Sequence, residues 1–441
     1  LKTHDLLAIG LMTFALFLGA GNLIFPPSLG LEAGTNLFPA MLGFLITAVG
    51  LPAFTLIVLG RISSTQNLTK ALPGWLARTF WILLFLAIGP AFGMPRAVTV
   101  AYEMGIKPFT SSDHLFLFSL VFCAFTLLLA FQPGRLVDYI GKVITPLLIV
   151  MLAALACSAI FFPLGSAQAP SADYQSDAVT HGLIQGYMTM DAIAAVGFGW
   201  VIIQAINMKG VTEPKAVAGC AFKVAVIYAL LMTGCYAAMG YVGATSTSVA
   251  ANASNGGEIL TLYTAGAFGV YGQWLLAAII VTACLTTTVG LTNACAEYYK
   301  QTFNARFSVT AALVVILTGT TANFGLEQIL SVSLPAILVL CPAAIALVLT
   351  ALLFPNKKAV SVTYITTLLT TFVFGGIDAL NILAIMPESV SGILSRFLPL
   401  YDAHASWFLP CLIILSVSVV QTVYLKNGGF KMQQKLTATH G

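Results

Sequence analysis

The stretch Leu18-Gly19-Ala20-Gly21-Asn22-Leu23-Ile24-Phe25-Pro26-Pro27 lies inside an apolar run over residues 6–30, long enough to cross a bilayer as a helix. Glycines and a proline pair in the middle of such a run break the helix. A second run, over residues 181–207, carries Gly186, then Asp191, then Gly197-Phe198-Gly199. A break inside hydrocarbon frees backbone N–H and C=O groups. Each costs several kcal/mol if unpaired, so the break must line a cavity or be buried in protein. The start of a half-helix presents N–H groups and the positive dipole end, which suits a carboxylate. The carbonyls freed at the end of the other half suit a cation. Discontinuous helices in corresponding positions point to a transport site. Glycines that only let helices pack closely are the alternative.

The composition agrees with a bilayer as solvent. Of 441 residues, 59% are hydrophobic and 8% charged, against about 25% charged in a soluble domain. Mean hydropathy is +0.96. Apolar runs near 6–30, 37–60, 79–102, 115–131, 137–162, 181–207, 216–242, 271–298, 308–324, 328–354, 360–385 and 405–425 predict an all-α membrane protein of about twelve spans. Runs 115–131 (short) and 308–324 (rich in Thr) are the weakest. The stretch 256–267 is too short to cross and reads as a helix lying on one surface.

The basic residues test this count. With a cytoplasmic amino terminus, all of the 19 Lys and Arg except Arg96, Lys107 and Arg396 fall on the cytoplasmic side. Every cytoplasmic loop carries at least one. Both termini are therefore expected in the cytoplasm. Spans one and six enter from opposite sides, so two inverted repeats are expected within one domain, at 6–162 and 181–354, with peripheral helices at 360–425. The first run is too long, and too interrupted, for a cleaved signal peptide.

Several classes are disfavoured. The net charge of +4 is too small to suggest nucleic acid. The eight cysteines lie in apolar runs without C-x-x-C spacing and read as packing residues, and the five histidines lie near segment ends. A membrane-embedded enzyme needs a cluster of catalytic side chains or a metal, and none is visible. A transporter-like sensor usually carries a soluble extension, and the tails are short.

Three polar features sit inside spans. Thr286-Thr287-Thr288 follow Ala283 in the eighth run. Their hydroxyls either bond back to their own helix or offer hard oxygen ligands to Na⁺. Asp191 is a functional candidate as an acid in mid-membrane. It can ligate a cation, carry a proton, bind a substrate ammonium, or cap the second half of span six. Asp378 reads as an acid packed between helices, and Arg96 as a side chain that snorkels to the outer surface.

Ala8 to Pro27, Ile88-Gly89-Pro90-Ala91-Phe92-Gly93-Met94-Pro95-Arg96 and Ala195-Val196-Gly197-Phe198-Gly199 resemble bacterial branched-chain amino acid carriers of the BrnQ type, and the likeness runs over essentially the whole chain. That family is thought to share the inverted-repeat architecture of the leucine transporter (LeuT) and the amino acid–polyamine carriers. The resemblance implies that backbone N–H groups of Ala20 and Gly21, with Asn22 beside them, receive the substrate carboxylate. It implies a cation site at Ala15, Leu18, Ala283, Thr286 and Thr287. It implies a side-chain pocket at Ala192, Ile193, Ala195 and Phe198 with Leu291, and helix-three contacts at Gly93 and Met94. The aromatic lid of the model fold has no counterpart, since Ala192 stands in its place. Phe25 and Pro26 stand where a basic outer-gate residue is usual.

The expectation is a symporter of the bacterial inner membrane. It would import leucine, isoleucine or valine with Na⁺, or with H⁺ if Asp191 titrates. A sensor that binds without transport, and a carrier of different apolar specificity, are the alternatives.

Overall fold

The computed structural model describes residues 2–62, 65–132, 137–354, 361–398 and 400–422. Among these residues every regular element is helical. In chain order they are α1 (Thr3–Phe17), α2 (Ala20–Ala33), α3 (Leu37–Leu45), α4 (Leu51–Arg61), α5 (Gly74–Leu86), α6 (Gly93–Gly105), α7 (Leu115–Ala130), α8 (Thr145–Phe161), α9 (Ala172–Ser176) and α10 (Ala178–Tyr187). Then follow α11 (Asp191–Met208), α12 (Pro214–Ala244), α13 (Thr247–Ala250), α14 (Gly256–Phe268), α15 (Val270–Phe303), α16 (Phe307–Ala322), α17 (Leu326–Leu353), α18 (Ser361–Ile382), α19 (Glu388–Phe397) and α20 (Phe408–Thr422). Within the described residues every expected span is occupied by helix, including the two weakest, which form α7 and α16. Of the basic residues used to orient the chain, Arg135, Lys357, Lys358, Lys426, Lys431 and Lys435 lie outside the described residues.

Burial sorts the helices into centre and rim. α1 and α11 are buried on nearly all sides. α7, α16 and α18 instead present large apolar side chains outward, among them Phe116, Leu120, Phe125, Ile316, Val362 and Val373. Such apolar surface is untenable in water and ordinary against lipid. α14 is too short to span; it packs on α2 and α15 and buries Ile259, Leu260 and Tyr263.

Two crossings of unusual closeness hold the centre. α10 lies against α3, and α2 against α12. A Cβ added at Gly182 would fall 1.9 Å from the Ala40 carbonyl oxygen, and one at Gly30 would fall 1.9 Å from that of Gly240. Only a residue without a side chain lets these backbones meet. Each pairing joins one half of a broken helix to an unbroken neighbour.

The first break falls where the sequence puts it. α1 stops at Phe17, Leu18 makes a tight turn that brings the Gly19 N–H to the Phe17 carbonyl at 2.7 Å, Gly19 is extended, and α2 restarts at Ala20 with Pro26 and Pro27 inside it. The second does not sit at glycine. It falls at Met188-Thr189-Met190, where Met190 takes φ 71, a left-handed conformation rare for a non-glycine residue. Gly197 and Gly199 lie within continuous α11, and their missing side chains admit Ile88 and Leu59. A third interruption bends span three. α5 passes into a π-turn over Ala87–Ala91, with Gly89 non-helical ahead of Pro90, before α6 begins.

Candidate functional site

The two breaks face one another, and a cavity opens between them. Phe17, Gly19, Gly21 and Asn22 line it from the first break, and Thr189, Met190, Asp191, Ala194 and Phe198 from the second. Ile88, Gly93, Arg96 and Ala97 close it from span three, and Thr287 and Leu291 from α15. The walls are mainly apolar, and the charged groups in them are one acid and one base.

Asn22 organises the first break. It sits in the first turn of α2, where its Oδ1 accepts the Gly19 N–H at 3.1 Å, a donor shared with the Phe17 carbonyl at 2.7 Å. Its Nδ2 donates to Asp191 Oδ2 at 2.6 Å. Tyr236 of α12 donates its hydroxyl to the same oxygen at 2.7 Å and also accepts from Asn22. Asp191 is the first residue of α11, where the helix dipole favours a carboxylate. Its side-chain bonds run across to α2 and α12, not back to the N–H groups of its own helix. The capping role is thereby replaced by a bridging one. The acid is buried, with 4% of its surface exposed.

The hydroxyls of α15 divide. Thr286 Oγ1 donates within reach of two carbonyls, Ala15 at 2.8 Å and Ala283 at 2.9 Å. The hydroxyl therefore joins the end of α1 to α15. Thr287 Oγ1 is buried and has no hydrogen-bond partner. It lies beside the Gly19 backbone, 3.2 Å from where a Cβ would stand. A buried hydroxyl without a partner is costly, and its oxygen is free to ligate a hard cation. Thr288 turns the other way, toward Thr126 at 3.2 Å. Leu18 is fully buried at the end of α1 and is absent from the cavity wall.

Of the residues expected at the substrate, Gly21, Asn22, Asp191, Phe198 and Leu291 line the cavity, and Ala20 opens α2 beside it. Ala192, Ile193 and Ala195 do not. They are buried on other faces of α11, because successive helix residues point about 100° apart, and Asp191, Ala194 and Phe198 share the wall at helical spacing. Gly93 lines the cavity as expected. Met94 packs behind it, with its sulfur toward Thr292 and Thr318.

Arg96 is a correction. It does not snorkel: it is 5% exposed and reaches the cavity. The bend in span three turns its side chain inward. Its guanidinium lies over Gly21, 5.5 Å from the centre of the Phe25 ring, and Nη1 donates to Met190 Sδ at 3.3 Å. Asp378 packs between helices as expected, holding the N–H of Ser406 at 3.1 Å and its hydroxyl. Tyr236 and Thr189 were not singled out in the sequence. A lone tyrosine or threonine in an apolar run carries no signal of a partner on another helix.

The fold agrees with what the chain is similar to. It is 39% identical over 422 residues to the branched-chain amino acid permease BrnQ of Haemophilus influenzae, covering 94% of this chain and 96% of that protein. It is 40% identical over 423 residues to the branched-chain amino acid transport system 2 carrier protein of Pseudomonas aeruginosa, covering 95% and 96%. Among solved structures, MhsT in complex with L-phenylalanine superposes with TM-score 0.58 at 15% identity, over 94% of this chain and 98% of that one. Mhp1, a nucleobase–cation symporter, superposes with TM-score 0.56 at 14% identity, over 91% and 96%. At such identities the structures establish the fold alone, which is LeuT-like. Residues 2–424 match the family described as branched-chain amino acid transport protein, and the chain is a multi-pass membrane transporter belonging to that family.

Proposed function

We propose that the protein is a secondary symporter importing leucine, isoleucine and valine together with Na⁺ across a bacterial inner membrane, with both termini in the cytoplasm. The observation that carries this reading is the cavity between two helix breaks, apolar except for a few groups that suit a zwitterion. The N–H groups at the start of α2, at Ala20 and Gly21, face the substrate carboxylate. Asp191, held by Asn22 and Tyr236, takes the ammonium. Phe17, Ala194, Phe198 and Leu291 enclose the aliphatic side chain.

The co-transported cation sits where α1 ends against α15. The carbonyls of Ala15, Leu18 and Ala283 and the hydroxyls of Thr286 and Thr287 supply oxygen ligands. The partnerless hydroxyl of Thr287 supports this assignment, because it completes a donor set that Thr286 already brings within 3 Å of two carbonyls. One charge moving down a 100 mV potential supplies about 2.3 kcal/mol, to which the ion gradient adds. Ion binding at the joint between α1 and α15 favours the outward-open form, and filling of both sites permits closure. The repeats, 6–162 and 181–354, carry the two breaks and rock against each other around this point.

The buried Asp191 keeps H⁺ open as the coupled ion. Uptake of labelled leucine into proteoliposomes, with Na⁺ and pH gradients imposed one at a time, decides between them. Stimulation by an inward Na⁺ gradient is expected. Uptake indifferent to both gradients ends the symport reading.

A further inference from the structure

Arg96 stands in an arrangement that lacks one component. Its side chain is 95% buried, and a guanidinium stays charged in any protein environment. Buried charges are normally paired. Yet the ion pairs among the described residues are Lys107–Glu103, Lys142–Asp138, Lys209–Asp5 and Lys300–Glu297, and Arg96 is in none of them. Its direct contacts are the Met190 sulfur and the Phe25 ring face, both weak partners for a cation, and the buried acid of the same cavity, Asp191, attracts it without touching it.

Its position adds a second difficulty. Nη2 lies 1.9 Å from where a Cβ on Gly21 would stand, so the cation rests on the first turn of α2. That is the positive end of the helix dipole, and cation and dipole repel. An anion in the cavity that touches the guanidinium and the helix start side by side removes both difficulties at once. It pairs with the guanidinium and accepts the free N–H groups of the helix start. Gly21 is needed there for this reason: any side chain would displace the guanidinium.

Asp191 stands on the opposite wall of the same cavity. Asn22 and Tyr236 both donate to its Oδ2, and Thr189 at the second break also lies within hydrogen-bonding reach of the carboxylate, which faces the cavity. We infer that Arg96 is a substrate-binding residue: it holds the carboxylate of the amino acid jointly with the N–H groups of α2, while Asp191 holds the ammonium. The zwitterion thus neutralises both buried charges. This rests on reading the cavity as the amino acid site, and adds to it the group that demands a carboxylate. An amine or amide of the same shape leaves Arg96 unpaired, and sites built around a polar contact reject analogues that lack it by large factors.

The test uses the full chain purified in detergent, with thermal stabilisation by leucine and by leucinamide measured separately. Leucinamide keeps the ammonium and side chain and lacks the carboxylate. For Arg96→Gln the half-stabilising leucine concentration should rise at least tenfold, while that for leucinamide changes less than twofold. Arg96→Lys should recover part of the leucine affinity. Equal weakening of both ligands, or of neither, overturns the assignment and leaves Arg96 a structural residue. Where Arg96→Gln fails to fold, the unaltered protein decides: leucine, and not leucinamide, should slow phenylglyoxal modification at Arg96, and equal modification with either overturns the assignment. If the unaltered protein is stabilised by neither ligand, the amino acid reading falls and this one with it.

Discussion

The Asn22 amide donates to the Asp191 carboxylate at 2.6 Å, and this bond joins the two helix breaks. Asn22 also accepts the Gly19 N–H, so one side chain caps the restart of the first broken helix and orients the acid at the restart of the second. Tyr236 adds a third element by donating to the same oxygen from α12. The network is buried, and a donor removed from a buried charge leaves a deficit of about 1.5–3 kcal/mol.

Tyr236→Phe tests that network with little change in volume. Converted at 25 °C, the deficit corresponds to roughly 10–100-fold weaker leucine binding. The KM for uptake should rise accordingly, with the folded protein still present in the membrane. Asn22→Ala should be worse, because it removes the donor to Asp191 together with the contacts to Tyr236 and the Gly19 N–H. If Tyr236→Phe transports leucine with unchanged KM, the hydroxyl does not set the acid's orientation.

The two threonines of the proposed cation site should respond differently. Thr287→Ala removes the hydroxyl without a partner, so it should lower Na⁺ affinity with little loss of stability. Thr286→Ala also removes bonds reaching the carbonyls of Ala15 and Ala283, so it should lower both Na⁺ affinity and melting temperature. In each variant the Na⁺ dependence of uptake should weaken more than leucine recognition at saturating Na⁺. Titrating uptake against Na⁺ and against leucine in parallel separates the two, and an unaltered Na⁺ curve in both variants removes the site.

The wall position taken by Ala194 governs the room for the aliphatic side chain. Enlarging it to valine should disfavour leucine relative to valine as substrate. Each methylene of misfit is worth about 1–3 kcal/mol, so a selectivity change of tenfold or more is expected. Ala192→Val lies on another face of α11 and should leave the ratio of the two KM values unchanged. Competition between the labelled amino acids reads this directly. A selectivity shift in the 192 variant alone moves the side-chain pocket to the other face.

How much of this was legible in the sequence depended on whether the signal was local. The spans, the break at Leu18-Gly19 and the hydroxyls on α15 are local features of composition, and they are where the sequence puts them. The break in span six was not, because Met190 takes a left-handed conformation that its residue type does not signal, while the conspicuous glycines at 197 and 199 serve close contacts with Ile88 and Leu59. Arg96 was misread for a related reason. Near the end of an apolar run a basic residue ordinarily reaches for the interface, and only the bend at Gly89-Pro90 turns this one inward. Which face of α11 meets the cavity depended on the exact start of that helix.

The close crossing of α10 on α3 makes a prediction about folding. A Cβ at Gly182 would meet the backbone of Ala40, with the Ala40 carbonyl carbon at 2.8 Å and the Phe44 nitrogen at 3.0 Å behind the oxygen. Backbone atoms cannot turn aside as a flexible side chain can, so the two helices must move apart, and overpacking of this kind costs about 1–3 kcal/mol or more. The displaced half-helix carries Tyr187 and leads directly into Met190 and Asp191, so the cavity would be disturbed as well. Gly182→Ala should therefore reduce both folded protein and leucine uptake. Gly234→Ala in α12, where a Cβ meets nothing within 4 Å, is the matched control and should be neutral or mildly stabilising, since alanine favours helix over glycine. Fluorescence-detected size-exclusion chromatography with a melting curve compares them. Equal abundance and melting temperature for both variants would mean that α10 and α3 do not cross as closely as described.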